Sequence, residues 1–200
     1  MSDELQFAHY PFEDESLPES WETMALENVL ENIRSGFASG QHNKDGRGIP
    51  HLRPMNISPS GNIDLSEVRY VQGKHPLRLR RGDVLFNNTN SPVWVGKTAL
   101  IETDDDLAFS NHMTRLRIVS AVDPMFVAQQ LHFLCSQGYF RHHCKKHVNQ
   151  ASIATDFLSR CVPVRIPPAA EQHRIVAKIK ALQDRSQRAR EALAEVEPLL

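Results

Sequence analysis

The sequence predicts a mixed α+β domain with a strand-rich core, followed by one long C-terminal α-helix of the coiled-coil type. Three observations predict it. Residues 49–122 consist largely of short alternating apolar runs separated by turn residues. Asp123-Pro124 then opens a helix with an apolar stripe. Beyond Pro167-Pro168, apolar and small positions recur at heptad spacing as far as Val196.

The 200 residues, 40% of them apolar, suit one domain of ordinary size plus an appendage. No apolar run is long enough to span a membrane. The start, MSDELQFAHY, has neither the basic flank nor the apolar stretch of a signal peptide. The three cysteines, Cys135, Cys144 and Cys161, form no CxxC, which fits free thiols in a reducing cytoplasm. The net charge of −1 conceals an uneven distribution. Residues 1–33 hold nine acids and no Lys or Arg, which leaves +8 on residues 34–200. From Pro124 to Thr155 there is no acid, while Arg141, Lys145 and Lys146 stand there with four histidines. Phosphate contact needs such a local field, not a basic sum. Ordinary charge scatter behind an acidic arm is the competing explanation.

Taken in order, residues 1–16 read as an acidic arm. Trp21, Leu26, Leu30 and Ile33 have roughly helical spacing and predict a short helix ended by Ser35-Gly36. Residues 36–48 are a glycine-rich loop, but Gly46 and Gly48 make no GxGxxG. Pro59-Ser60-Gly61-Asn62 predicts a turn between extended pieces. Strands are expected at residues 77–80, 83–87, 93–101 and 113–119, with Arg78, Arg80, Arg115 and Arg117 alternating with apolar neighbours. Phe126, Val127, Leu131 and Leu134 form the stripe of the next helix, and Gly138 stops it. Tyr139 and Phe140 read as core anchors at the head of a basic segment, RHHCKKH.

The last helix is expected from about Ala169 to Val196. Ile175, Ile179, Leu182, Ser186, Ala189, Leu193 and Val196 are spaced alternately by four and three residues, a heptad seam on an otherwise polar rod. Such a rod needs a partner for its seam, either another helix or its own domain.

Chemistry-bearing residues are few. The loop FNNTNSPVWVGK, residues 86–97, gathers Asn87, Asn88 and Asn90. Asn matches the adenine edge in the major groove, yet the same residues are ordinary turn formers. HHCKKH, residues 142–147, lacks the second ligand pair of a zinc site, so no metal is expected. It reads as a basic DNA-facing loop or as a solvated surface loop. GxSxG, HExxH, a Walker A motif and an Asn-Pro-Pro-aromatic run are all absent, so no catalytic residue is assigned.

Four stretches together resemble the specificity (S) subunits of type I restriction–modification systems. They are LPESWETMALENV from Leu17, IPHLRPMNISPSGNIDLSEVRYV from Ile49, LRRGDVLFNNTNSPVWVGKTALI from Leu79, and NQASIATDFLSRCVPVRIPPAAEQHRIVAKI from Asn149. The resemblance implies a DNA target recognition domain at 17–168 and a shortened conserved helix at 169–200 that acts as spacer and dimerisation arm. Such a chain is non-catalytic and reads one half of an interrupted site in double-stranded DNA. It docks methylation subunits, which carry S-adenosylmethionine, and in some complexes a restriction subunit. A second S half would pair along the seam named above. The usual S subunit has two recognition domains and two helical regions, so one of each implies a half-subunit or a piece of a longer one. Arg53, Asn88, Asn90, Lys97, Arg115, Arg141, His142, His143, Lys145 and Lys146 are the residues expected on the DNA side. The alternative is a helical adaptor, or an orphan specificity fragment, that docks on a methylation subunit without reading DNA.

Overall fold

The computed structural model describes residues 16–75, 77–148 and 150–196, so most of the acidic arm lies outside the described residues. In chain order the first elements are β1 (Glu22–Ala25), a 3-10 turn (Leu26–Val29), β2 (Leu30–Ser35), β3 (Ile49–Leu52), a 3-10 turn (Pro54–Asn56) and β4 (Arg69–Val71). Then come β5 (Val84–Asn87), β6 (Thr89–Asn90), β7 (Thr98–Leu100), β8 (Ala108–Phe109) and β9 (Met113–Ile118). The last third holds α1 (Pro124–Ser136), α2 (Tyr139–His143), β10 (Lys145–Lys146), β11 (Ala151–Ser152), α3 (Thr155–Arg160), β12 (Pro163–Ile166) and α4 (Ala169–Val196).

A four-stranded antiparallel sheet, ordered β2-β9-β5-β7, forms the centre. All four residues of β5 are buried, because both faces of this sheet are covered. Val84 and Phe86 point to one side, where they join Val127, Leu131, Leu134, Phe140 and Leu158 from the helices. Leu85 points to the other, with Leu52, Ile57, Leu79, Leu107 and Phe109. This is the period of two expected of a strand, and each such buried side chain contributes roughly 1.5–3 kcal/mol. Gly96 sits at the seam with a φ of 92°, and a Cβ there would lie 2.3 Å from the Phe140 ring. Only glycine meets both demands.

The helix expected over Trp21–Ile33 does not form. β1 pairs with β12, from Glu22↔Ile166 to Ala25↔Pro163, and β2 pairs with β9. Distant strands take the backbone groups that a helix would have used, and only Leu26–Val29 keeps a helical turn. The strand expected over 93–101 is shorter, covering Thr98–Leu100. Before it the chain turns, with the N–H groups of Trp94 and Val95 both donating to Ser91 O. The strand expected over 77–80 does not form, and Leu79 alone joins the fold there through an isolated bridge to Leu107.

Other elements follow the expectations. Gly61 N–H donates to Ser58 O in the turn at 58–61. The Asp123 carboxylate caps α1, accepting from Met125 N at 2.8 Å and Phe126 N at 3.4 Å, and Pro124 takes the first helical position. Gly138, with φ 80°, follows the C-cap. α4 has the predicted limits.

Candidate nucleic-acid interface

A small three-stranded antiparallel sheet, ordered β10-β11-β6, gathers the basic segment and part of the Asn-rich loop. Its register sets Lys145 opposite Ser152, Lys146 opposite Ala151, and Ala151 opposite Asn90. Ala151 is buried and roots the sheet in the main core, while Lys145 and Lys146 are exposed on the outer strand. His147 N–H donates to Gln150 O at 2.7 Å and closes the hairpin, and its ring lies 3.3 Å from Ser152 Oγ. α2 precedes the hairpin. Tyr139 and Phe140 anchor it in the core, leaving Arg141 and His142 exposed. His143 is half-buried, its ring 4.6 Å from Tyr139 and 5.5 Å from Phe157. Asn90 is half-buried and its side chain accepts from Ser91 N at 2.8 Å. Strand pairing thus brings Lys145, Lys146 and the half-buried Asn90 into one small sheet, with the exposed Arg141 and His142 on the helix just before it, and that pairing could not be read from local pattern.

Three other sequence candidates lie inside the fold. The Asn88 side chain donates to Thr114 Oγ1 at 2.8 Å and to Asn111 O, and accepts from Thr89 Oγ1. The Lys97 ammonium donates to Ile57 O and lies 5.3 Å from the Trp94 ring centroid. Burial pushes its pKa down, and burial also pushes the neighbouring Cys135 thiol up to about 11. Arg115 is 6% exposed. Its guanidinium donates to Arg78 O at 2.9 Å and Asn32 Oδ1 at 3.0 Å and lies 6.0 Å from the Phe109 ring. These three groups brace loops against the central sheet.

Arg53 belongs to a separate cluster on β3 and β4. It is half-buried, with Nη2 3.5 Å from Glu67 O, and burial followed by the nearby Arg69 charge lowers its pKa. His51 pairs across the sheet with Arg69, and its Nδ1 lies 3.0 Å from His42 Nε2. His51 is 1% exposed, and burial above all, then His42, brings its pKa down to about 4. Among the described residues, no group of three or more His, Cys, Asp or Glu stands close enough to hold a metal ion, and no helix is long and apolar enough to cross a membrane.

The joint between domain and rod is built by residues that pattern reading passed over. Gln172 is buried. Its Oε1 accepts from Asp123 N at 2.8 Å and its Nε2 donates to Pro167 O at 2.8 Å. One amide therefore ties the base of α4 to the cap of α1. Trp21 Nε1 donates to Glu171 Oε2, and the Trp21 ring packs edge-on to Phe126. Val176 completes a small cluster with Met125 and Phe126, with Ile175 packed against it. Lys180 pairs with Glu102 at 3.0 Å, and Gln183 Nε2 lies 3.5 Å from Gln129 Oε1. The seam is divided by this docking. Ile175 and Ile179 are half-buried, whereas Leu182, Ser186, Ala189 and Leu193 are exposed. The side chain of Val196 lies outside the described residues.

No protein-family model matches the chain. Over 172 residues it is 33% identical to the "Putative type I restriction enzyme MjaX specificity subunit" of Methanocaldococcus jannaschii, covering 82% of this chain and 39% of that protein. Its fold matches a structure titled for complex assembly and conformational transition of the type I R-M system, with a TM-score of 0.71 at 21% identity over 94% of this chain and 44% of that one. It also matches the crystal structure of the HsdS subunit from Thermoanaerobacter tengcongensis, with a TM-score of 0.65 at 22% identity over 91% and 42%. The chain spans less than half the length of each of these relatives. In sequence and in fold, the chain is thus similar to part of the type I restriction–modification specificity subunits.

Proposed function

We propose that this chain is a non-catalytic, cytoplasmic DNA-recognition subunit that reads one half of a bipartite duplex site within a type I complex. The observation that carries the proposal is the exposed, acid-free region of Arg141, His142, Lys145 and Lys146, fixed to the core by β11 and β6. In this reading Arg141, Lys145 and Lys146 bind phosphates, and His142 and Asn90 lie nearest the bases. Asn88, Lys97, Arg115 and the ring of His143 hold the frame. Arg53 belongs to a second cationic cluster with Arg69. Residues 17–168 are the recognition domain and 169–200 the spacer. The bare part of the seam, Leu182 to Leu193, supports pairing with a second S half or with a helix of a methylation subunit. The methylation subunit carries S-adenosylmethionine, and a restriction subunit completes the assembly when present.

The same bare seam also favours a second reading, a helical adaptor that docks without reading DNA. Long-read methylation mapping separates the two. The chain is expressed with its methylation subunit, with and without residues 184–200. A palindromic interrupted adenine motif that vanishes on truncation establishes a half-subunit that dimerises and reads DNA. An asymmetric motif means that this domain works beside a different reader. An assembled complex that produces no motif establishes the adaptor.

A further inference from the structure

The small sheet ends in an apolar tip. Val148 is 99% exposed at the turn of the β10–β11 hairpin, the most exposed large apolar side chain among the described residues. The register extends past Lys146↔Ala151 to the His147–Gln150 hydrogen bond. On the other side of β11, β6 runs out of the sheet at the same end, at Ser91. The chain turns tightly there and leaves Val93 57% and Trp94 41% exposed. A single exposed valine means little. Val148 at the tip beside two exposed lysines, with a further apolar turn following β6 at the same end of the sheet, makes an organised surface.

Charge selects the occupant. No acid lies between Pro124 and Thr155, so the ribbon carries only positive and neutral groups. Protein interfaces are depleted in lysine at their cores, whereas a duplex presents phosphates on both rims of an uncharged groove floor. The major groove is about 12 Å wide and admits a two-stranded ribbon.

Resting on the DNA-reading proposal above, we infer that the β10–β11 ribbon enters the major groove and that Val148 and Gln150 at its tip determine specificity. Lys145 and Lys146 hold the phosphates on the rim. Val148 packs on a thymine methyl group, and the Gln150 amide meets an adenine edge, the pairing that a glutamine makes in that groove. Val93 and Trp94 cover the base of the tip and exclude water from it.

The test is methylation mapping of the complex with the methylation subunit, comparing the wild-type chain with Val148→Ser, Gln150→Ala and Lys145→Ala. Both tip positions are exposed, so melting temperatures should match the wild type. The inference requires that Val148→Ser and Gln150→Ala each relax one position of the same half-site, with discrimination there falling about tenfold. Lys145→Ala should lower occupancy at every site alike. An unchanged motif in both tip variants overturns the ribbon reading and leaves DNA recognition to another part of the domain. Loss of the complex on size exclusion with Val148→Ser overturns it in favour of protein docking at the tip. A wild-type complex with no motif overturns the underlying DNA-reading proposal as well.

Discussion

Lys97 and Lys146 are the same residue type in polar, turn-bordered segments, and the fold treats them in opposite ways. Lys97 is 7% exposed, beneath Trp94, with its ammonium on Ile57 O. Lys146 is exposed on the outermost strand of a small sheet. The Lys97 segment leads into a central sheet covered on both faces, so the protein must supply its hydrogen-bond partner. The Lys146 segment adds a strand at an edge, where the fold supplies no side-chain partner among the described residues and leaves the ammonium to solvent. Residue type sets what a group can bind, and strand position sets who binds it. Arg115 and Asn88 fall on the Lys97 side of this division, and Arg141 and Lys145 on the other.

The strongest challenge to that division is Arg115→Ala. It leaves Arg78 O and Asn32 Oδ1 without a donor and should cost about 3 kcal/mol or more in urea unfolding. Arg115→Lys should recover little, because a point charge cannot replace a fork. Unchanged stability with lost DNA binding would move Arg115 to the exposed class. Next comes His51. Its folded pKa of about 4 lies below its ordinary 6.5, so in that window the unfolded chain binds a proton that the folded chain does not. Stability should therefore fall as pH drops from 6.5 towards 4, by up to about 3 kcal/mol. His51→Phe should flatten urea midpoints across this window. Gln172→Ala removes two buried hydrogen bonds and should cost about 2 kcal/mol by the same measurement. The smallest stability effect belongs to Lys146→Ala, within about 0.5 kcal/mol of wild type. Its signature is instead a DNA-binding salt slope reduced by about 1. Lys97→Ala should do the reverse, losing stability with no specific change in slope.

Legibility in the sequence followed the range of the interactions. Asp123-Pro124, the turn at Pro59-Ser60-Gly61-Asn62 and the whole extent of α4 are specified by neighbours within a few residues, and they formed as expected. The segment Trp21–Ile33 has helical spacing, yet β12 and β9 pair with it from far along the chain. Local periodicity carries no record of such partners. The candidate site divides in the same way. Basic residues between Arg141 and Lys146 were visible as a run without acids. That Asn90 shares a sheet with them, while Asn88 two residues earlier is buried, depends on a register set by residues 145–152. Gln172 had a visible signal, a polar residue just inside a helix after two prolines, but its partner at Asp123 did not.

The clamp at the base of α4 has a consequence for angular tolerance. Contacts from Gln172 to Gln183 fasten the first half of the helix to the domain. Beyond Gln183 the described helix runs on for thirteen residues, from Asp184 to Val196, and they span about 20 Å. A lever of that length turns a tilt of about 10° into a tip displacement of about 3.4 Å, the axial rise of one base pair. Had the helix been free from Ala169, its arm would be about 42 Å, and about 5° would give the same error. Docking half the rod doubles the tilt that the joint tolerates for the same displacement at Val196.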